Sequence, residues 1–589
     1  MIAIAAVALV TFGAIGLGGW GVRFARTTSD LYVASRAISP WWNAAAVSGE
    51  YLSAASFLGI AGLEMKLGVP ALWQSIGFTA GYLALLLFVA APLRRFGSYT
   101  IPDFAEGRLG SRRLRMLAVG AVVGIAGFYL IPQLKGAGIA LQEVTGAPYW
   151  VGIALVGAIV VLNVALGGMR GITYVQAFQF WVKTFAIAVP AIVLLIHLGG
   201  LPDRATLFGD GLPRAPAGGV TITLDHYQRV TFPRAVSYED GAIHGRAAAG
   251  ESLVLAPGVV RLAAGAVIPV AAGTRVQTGN SWSRPVGSGG EASPVFIYSL
   301  LIATFLGTMG LPHILVRFYT NPDGTAARTT TVRVLGLLGV FYLFPAVYGA
   351  LGRVMAPGLY LTGQTDTVVL RLPERAWPGV GGQVLGALVA AGAFAAFMST
   401  SSGLLVSVAG TVSFDLWGRG RGRPSTAVRR RRFRISAVAG IIVPALIALG
   451  ARSVDISILV GWAFALAAST FCPMFVLGIW WPRLTSRGAA AGMLAGGLLA
   501  SSAIVIGLAV GASHLGGALD ALLTQPAIVS VPVAFAAMIG VSLMSERPAG
   551  VAAHMLALHA PEGLGLGARV GAGEDGRGAT LSAEPVTPT

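Results

Sequence analysis

Runs of about 20 predominantly apolar residues recur along the chain, a length that matches the hydrocarbon thickness of a bilayer. Of the 589 residues, 55% are hydrophobic and only 11% are charged, whereas a soluble domain carries about 25% charged residues. So few charges cannot cover a water-soluble surface of this size, so many apolar side chains must face lipid. The sequence therefore predicts an all-α polytopic membrane protein.

Thirteen apolar segments meet the length criterion for a membrane span. The predicted spans lie near residues 1–22, 41–62, 70–93, 116–137, 149–168, 174–198, 294–316, 332–355, 383–412, 435–451, 456–479, 488–512 and 526–544. Many of the 81 glycines fall inside these runs, as expected where small residues let membrane helices approach closely.

Positive charge in the short connections predicts the orientation of the spans. On one side these loops carry 23 arginines, and on the other they carry five lysines or arginines. Because cytoplasmic loops hold the excess of basic residues, we expect a multi-pass protein of the bacterial inner membrane with its N-terminus outside and its C-terminus in the cytoplasm. The formal net charge of +17 follows from these arginines, so we predict no nucleic-acid partner.

Two regions lack the pattern of a span. Residues 201–292 contain short alternating stretches broken by Gly and Pro, which predicts a small β-rich extracellular insertion. It separates helices 1–6, in residues 1–200, from helices 7–13, in residues 293–545. Residues 546–589 have no sustained hydrophobic period and predict a disordered cytoplasmic tail.

The second predicted span carries polar residues where a lipid-facing helix would carry leucines. Its sequence VSGEYLSAASFLGIAG contains Ser48, Glu50, Ser53 and Ser56. An ionisable residue inside a span usually marks a pathway or a bound group. The alternative is that Glu50 lies near the end of the helix and is solvated.

The seventh predicted span contains residues that interrupt a helix. Gly307, Gly310 and Pro312 would leave backbone carbonyls free to face a cavity. His313 follows, and it can be a ligand or a packed, hydrogen-bonded helix residue.

The ninth predicted span contains an unbroken run of hydroxyl side chains, Ser399, Thr400, Ser401 and Ser402. Hydroxyl and carbonyl oxygens suit a hard monovalent cation such as sodium. The alternative is that these hydroxyls bond to carbonyls of their own helix or join neighbouring helices.

The second and seventh spans begin two blocks of five helices, which therefore have opposite orientations in the bilayer. Broken helices at corresponding positions of inverted repeats are typical of the binding site of a secondary transporter. The sequence has no GxxxxGK[ST] nucleotide-binding loop, so we expect coupling to an ion gradient.

Several motifs resemble those of one transporter family. They are LYVASRAISPWWNAAAVSGEYLSAASFLGIAG, FGSYTIPDFAEGRL, GGMRGITYVQAFQFWVK, GTMGLPHILVRFYTNP and the serine-rich ninth span ending in VSFDLW. Over roughly residues 1–545, outside 201–292, the chain resembles the sodium:solute symporter family, and within it the cation/acetate symporter (acetate permease) branch. The resemblance implies a LeuT-like inverted-repeat (5+5) fold, here with 13 transmembrane helices, in which helices two and seven are discontinuous.

The resemblance also implies a sodium ion between the broken part of the second helix and the ninth helix. Carried over by motif, its ligands are the carbonyls of Gly49, Leu52 and Ala396 and the hydroxyls of Ser399 and Thr400. Some acetate permeases lack the Ser-Thr pair, so its presence here favours sodium over protons.

The chain departs from its relatives near this site. Proline permeases have an aspartate at the position of Tyr51, when aligned on Ser53. Acetate permeases have Gly-Asp-Tyr where this chain has Gly49-Glu50-Tyr51, a change that adds one methylene and keeps the charge.

The branch implies a small monocarboxylate substrate of the acetate, propionate or pyruvate class. The residues expected to line the substrate cavity are Tyr51, Ser53, Gln74, Gln133 and His313. Lys135 can also bind a carboxylate, although a lysine that extends to the interface is the alternative.

We therefore predict sodium-coupled symport of a short-chain monocarboxylate into the cell, with proton coupling as the alternative. We expect no enzymatic activity and no cofactor; sodium is the coupling ion, the bilayer is the surrounding medium, and the oligomeric state is left open. A membrane sensor built on a transporter fold is a further alternative, but it needs an output domain, which we do not expect in the short tail.

Overall fold

A computed structural model gives the structure of the protein. It describes residues 1–21, 34, 38–202, 212–216, 218–224, 227–240, 243–272, 274, 276–277, 279–287, 293–417, 425–510, 517–546, 548 and 550–560. Within residues 546–589, predicted to be a disordered tail, the segment Val551–His559 is helical, and the residues beyond 560 lie outside the described part of the chain.

The first half of the chain is helical from its N-terminus. In chain order its helices are α1 (Ile2–Gly21), α2 (Pro40–Tyr51), α3 (Ile60–Leu67), α4 (Leu72–Phe88), α5 (Ala90–Phe96), α6 (Ile101–Leu109), α7 (Arg112–Thr145) and α8 (Tyr149–His197). A π-helical turn at Ala55–Gly59 precedes α3.

The second half repeats this helical character after a stretch of strands. Its helices are α9 (Gly279–Ser283), α10 (Pro294–Thr308), α11 (Pro312–Phe318), α12 (Gly324–Phe341), α13 (Leu343–Met355), α14 (Gly358–Thr362), α15 (Val368–Ala376), α16 (Val380–Thr411), α17 (Thr426–Gly450), α18 (Ile456–Trp480), α19 (Ser486–Val510), α20 (Gly517–Thr524), α21 (Ala527–Leu543) and α22 (Val551–His559). Another π-helical turn, Val412–Leu416, extends α16.

Ten of the described helical segments are long and apolar enough to cross a bilayer, and two bent helix pairs raise the number to 12. The bent pairs are Pro40–Tyr51 with Ala55–Leu67, at 68°, and Gly517–Thr524 with Ala527–Leu543, at 64°. Tyr149–Ala165 is a shorter apolar segment and would complete the predicted thirteen. The structure thus confirms a polytopic helical membrane protein, and the count of thirteen stays a prediction.

The outside of the helix bundle is apolar. Leu446 on α17 and Leu498 on α19 are each 63% exposed, and Phe185 on α8 is 59% exposed. Such surfaces are costly in water and are expected where side chains face lipid.

Helix α16 lies at the centre of the bundle and contacts α8, α7, α2 and α1. Its residues from Val389 to Val408 are all buried. This central position explains why the hydroxyl run of the ninth predicted span does not reach lipid.

The two predicted helix breaks are present. Between α2 and the π-helical turn, Leu52 has φ −71° and ψ 87°, outside the helical region. Between α10 and α11 the chain leaves the helix at Met309 to Leu311, and Pro312 begins the next helix. Proline cannot donate a backbone hydrogen bond, so it can start α11 but could not continue α10.

Short antiparallel strands occupy the part of the chain between α8 and α9. They are β1 (Val220–Leu224), β2 (Gln228–Thr231), β3 (Val236–Asp240), β4 (Ile243–Ala247), β5 (Ser252–Leu255), β6 (Gly258–Leu262) and β7 (Val270–Ala271). They form one sheet with the order β1-β6-β3-β4 and another with the order β5-β2-β7. Strand β1 packs on α14. Ile222 of β1 lies so close to Gly358 of α14 that a Cβ added to the glycine would be 3.1 Å from Ile222 Cγ1. An extracellular position for these sheets stays a prediction.

We expect Gly152→Ala to lower the stability of the bundle by about 1–3 kcal/mol, the usual cost of overpacking. An added Cβ would lie 2.4 Å from the carbonyl oxygen of Ala137, where α8 crosses α7. The measurement is thermal unfolding of the purified protein in detergent. The control is Gly120→Ala on α7, where the Cβ meets nothing within 4 Å and alanine favours the helix. Equal melting temperatures for the two variants would contradict this account of the crossing.

Candidate functional site

The break after α2 leaves two backbone carbonyls facing the interior of the bundle. The carbonyl oxygens of Gly49 and Leu52 both accept hydrogen bonds from Lys183 Nζ on α8. Gly49 permits this arrangement because a Cβ at its position would lie 2.3 Å from the carbonyl oxygen of Gln176. The absence of a side chain at Gly49 therefore lets α2 lie directly against α8.

Lys183 is fully buried and its ammonium group has three acceptors. Nζ lies 2.7 Å from the Leu52 oxygen and 2.6 Å from Ser399 Oγ, and it also bonds to the Gly49 oxygen. An ammonium group has three N–H donors, so these acceptors match its full hydrogen-bonding capacity.

The predicted sodium ligands lie around this ammonium group. Ser399 Oγ is 2.7 Å from the Gly49 oxygen and 3.1 Å from the Ala396 oxygen. Thr400 Oγ1 donates instead to the carbonyl of Glu50, at 2.6 Å. The structure thus brings Gly49, Leu52, Ala396 and Ser399 into one cluster, with Thr400 bonded to the adjacent residue of α2.

Lys183 is the residue of this cluster that the sequence analysis did not assign. It is one of three lysines in the chain and the only one in its apolar segment. A lysine in the middle of a span is costly unless it is paired or faces the bundle interior. That cost was the signal in the sequence that could have identified it.

A second buried network lies beside the first. Arg317 Nε on α11 is 2.5 Å from Glu50 Oε2, and both side chains are 1% exposed. The same guanidinium donates to Thr173 Oγ1 at 2.8 Å and to Gln176 Oε1. The alternative of a solvated Glu50 is therefore wrong, and the Glu50–Arg317 ion pair joins α2, α8 and α11.

The extra methylene of Glu50 is accommodated by a glycine on α16. A Cβ added to Gly403 would lie 1.7 Å from Glu50 Oε1. The longer side chain thus occupies the space that any other residue at position 403 would fill.

The predicted substrate residue Tyr51 lies in an aromatic cluster. Its hydroxyl is 2.8 Å from Thr308 Oγ1 and donates to the Phe78 carbonyl at 3.2 Å. Its ring centroid lies 4.7 Å from that of Tyr82 and 6.0 Å from that of Phe464. Tyr51 therefore connects the break of α2 with the break between α10 and α11.

Ser53 and Gln133 both bond to the backbone at the break. Ser53 Oγ accepts from the Ala55 amide at 3.2 Å, and Gln133 Oε1 on α7 accepts from the Ala54 amide at 2.8 Å. These two side chains satisfy amides that the interrupted helix leaves without helical partners.

His313 is buried beside Tyr129, with ring centroids 5.4 Å apart. Among the described residues, neither ring nitrogen has a hydrogen-bond partner. The Tyr129 ring in turn lies 5.8 Å from that of Phe464, which places His313 on the same aromatic cluster as Tyr51.

Gln74 and Lys135 lie toward the N-terminal end of α18. Gln74 Nε2 donates to the Ser457 carbonyl at 3.2 Å. Lys135 Nζ lies 3.6 Å from Asp366 Oδ2 and donates to the Val454 carbonyl. Gln74 thus bonds to the start of α18 and lies one helical turn before Phe78, whose carbonyl accepts from Tyr51, whereas Lys135 is held in an ion pair.

Two charged clusters lie along α7. Lys135 is in its C-terminal half, whereas Arg115 near its N-terminal end pairs with Asp103, Glu106 and Asp415. Twenty residues of helix separate the two basic residues, about 30 Å along the axis. The break of α2 lies close to the Lys135 cluster, because Gln133, which accepts from the Ala54 amide, is two residues before Lys135 on the same helix.

Comparison with known proteins gives a consistent family and fold. The family model described as "Sodium:solute symporter family" matches residues 31–207 and 252–496. The uncharacterized symporter YwcA of Bacillus subtilis (strain 168) is 30% identical over 533 residues, which cover 89% of this chain and 90% of the relative.

Two solved structures share the fold. A Na⁺-coupled sialic acid symporter in a substrate-bound outward-open state has a TM-score of 0.66 and 13% identity, covering 93% of this chain and 98% of its own. Mhp1, a nucleobase-cation-symport-1 family transporter, has a TM-score of 0.50 and 12% identity, covering 90% of this chain and 99% of its own. These likenesses confirm the predicted LeuT-like transporter fold.

We expect Gly403→Ala to lower stability and transport, and Glu50→Asp to restore part of both. The new methyl group must displace the Glu50 carboxylate from Arg317, and breaking a buried ion pair costs about 3–5 kcal/mol. Shortening residue 50 by one methylene frees the space. The loss of unfolding free energy in the double variant should therefore be smaller than the sum of the two single losses by about 0.5–3 kcal/mol.

The measurement is a double-mutant cycle on melting temperature and on initial uptake rate. The control is Gly336→Ala on α12, where the Cβ meets nothing within 4 Å. Additive effects of the two changes would show that Gly403 does not accommodate Glu50.

Proposed function

The chain belongs to the sodium:solute symporter family, and on this basis we propose that it carries a short-chain monocarboxylate of the acetate, propionate or pyruvate class into the cell. A secondary symporter needs a site at the middle of the membrane that binds solute and cation together. The observation that carries the proposal is the broken helix α2, whose freed carbonyls and flanking side chains face α8 and α16 inside the bundle.

The chemistry around the aromatic cluster supports a small carboxylate. Tyr51, Tyr129 and Phe464 provide apolar walls suited to a short alkyl group, since such pockets are mostly apolar with a few polar groups that fix orientation. The ring nitrogens of His313, which have no partner among the described residues, can donate a hydrogen bond to a carboxylate oxygen. The acetate permease resemblance supports the same class of substrate.

Sodium is the first candidate for the coupling ion, and the family implies it. The proposed ligands, Gly49, Leu52, Ala396, Ser399 and Thr400, offer neutral carbonyl and hydroxyl oxygens, the type that suits a hard cation. We propose that sodium, if it couples transport, binds at this cluster.

The proton is the second candidate, and one observation favours it. The ammonium group of Lys183 already bonds to three of the proposed sodium ligands. A symporter whose cation cluster holds its own lysine can be driven by a proton gradient without sodium at that position.

The substrate proposal is tested by counterflow in proteoliposomes loaded with unlabelled acetate, propionate or pyruvate. We expect labelled acetate to accumulate against each of these anions and not against a neutral sugar of equal concentration. Absence of exchange with every monocarboxylate, in protein that remains monodisperse, would reject the substrate class.

The coupling ion is tested on the double variant Ser399→Ala/Thr400→Ala, with Ser501→Ala on the lipid-facing part of α19 as control. If sodium couples transport, replacing choline by sodium raises wild-type and control uptake severalfold, and the double variant loses this increase. If a proton couples transport, sodium has no effect, and a protonophore abolishes accumulation. Sodium stimulation that persists unchanged in the double variant would show that the hydroxyls of Ser399 and Thr400 do not bind the coupling sodium.

A further inference from the structure

The feature that carries a further inference is the position of Lys183 Nζ among the proposed sodium ligands. This inference rests on the proposed function, because it concerns the coupling-cation site of a symporter. The nitrogen is within 2.7 Å of the Leu52 carbonyl and 2.6 Å of Ser399 Oγ, and it bonds to the Gly49 carbonyl. These oxygens come from both helices, α2 and α16, that would hold the ion.

A sodium ion could not share this cluster with the ammonium group. Both would contact the same oxygens, so their centres would lie within about 4 Å, where two unit charges repel by about 4 kcal/mol even at an effective dielectric constant of 20. The two cations are therefore mutually exclusive at the cluster.

The surrounding charges would not compensate a second cation. Glu50 is the neighbouring carboxylate, and Arg317 is bonded to it at 2.5 Å. Within the described part of the chain, no carboxylate lies within ion-pair distance of Lys183 Nζ. The buried region thus already carries one more positive than negative charge before any ion binds.

Lys183 is also held in place by the helix that carries it. Gln176 Nε2, two turns before Lys183 on α8, donates to the Ser399 carbonyl at 2.8 Å. One turn after Lys183, a Cβ on Gly392 of α16 would lie 2.3 Å from the Ala186 side chain. Because α8 and α16 are in direct contact on both sides of Lys183, the ammonium group is fixed opposite the break of α2.

We propose that Lys183 is a tethered cation that takes the place of sodium between α2 and α16. Its ammonium group joins the broken helix to α16, the connection that a bound sodium ion would otherwise make. Sodium then has no role at this cluster in the natural protein, and removing the lysine side chain creates a sodium site from oxygens that are already in position.

The experiment compares wild type with Lys183→Ala, Lys183→Met and the control Phe185→Ala, a lipid-facing residue of the same helix that is 59% exposed. Each purified protein is tested for thermal unfolding in sodium and in choline, and for acetate counterflow in proteoliposomes. Choline is too large to enter the cluster, so the difference between the two salts reports sodium binding.

We expect sodium to leave the melting temperatures of wild type and Phe185→Ala unchanged. In Lys183→Ala, sodium should raise the melting temperature by about 2–4 °C, since a ligand that binds only the folded state stabilises it. Lys183→Met fills the space with an uncharged chain of similar length and should not respond. In Lys183→Ala/Ser399→Ala the response should weaken, because one proposed sodium ligand is lost.

Sodium-dependent stabilisation or sodium-stimulated uptake of the wild type would overturn the proposal. So would a well-folded Lys183→Ala that does not respond to sodium. If Lys183→Ala does not fold, Lys183→Ser takes its place, and the wild-type comparison remains decisive. Failure of the substrate proposal and failure of this proposal are distinguishable. Counterflow tests the substrate, and sodium binding is still measured by thermal unfolding in a wild type that exchanges no monocarboxylate.

Discussion

The interruption of α2 is the constraint on which the interior of this protein depends. A broken helix inside a bilayer leaves polar backbone groups without partners, and each such group is costly away from water. Here the freed carbonyls of Gly49 and Leu52 accept from Lys183, and the freed amides of Ala54 and Ala55 donate to Gln133 and Ser53. The break is therefore stable because two neighbouring helices, α7 and α8, and its own Ser53 supply the missing hydrogen bonds.

The same argument accounts for the ion pair beside the break. Arg317 on α11 has acceptors on α2 and α8, in Glu50, Thr173 and Gln176. A buried guanidinium is tolerated only when its donors are satisfied. Since α11 begins at the second helix break, this single side chain ties the two interrupted helices to each other through Glu50.

The sequence was sufficient for the features that depend on local chemistry. Pro312 and the glycines before it predicted the break of α10–α11, and Ser399 and Thr400 predicted a polar patch on α16. The partners across space could not be predicted in the same way. Glu50 and Arg317 are 267 positions apart, and nothing in the spacing of either motif indicates the other.

Lys183 is another residue whose contacts across space could not be predicted from the sequence. Its motif contributed to the family resemblance, yet its role depends on the rotation of α8 about its own axis. That rotation is set by close approaches such as Gly49 against Gln176. A rotation of one residue, about 100° in a helix with 3.6 residues per turn, would move the side chain away from α2.

The identity of the coupling ion therefore does not follow from the ligand motif alone. Carbonyl and hydroxyl oxygens can coordinate sodium, and they can equally accept hydrogen bonds from an ammonium group. The oxygens of α2 and α16 specify a place for a positive charge and leave open which cation fills it. Residue 183 on α8 decides between the two cations: a small residue there would leave the oxygens free to bind an ion, whereas the lysine supplies the positive charge from the chain itself.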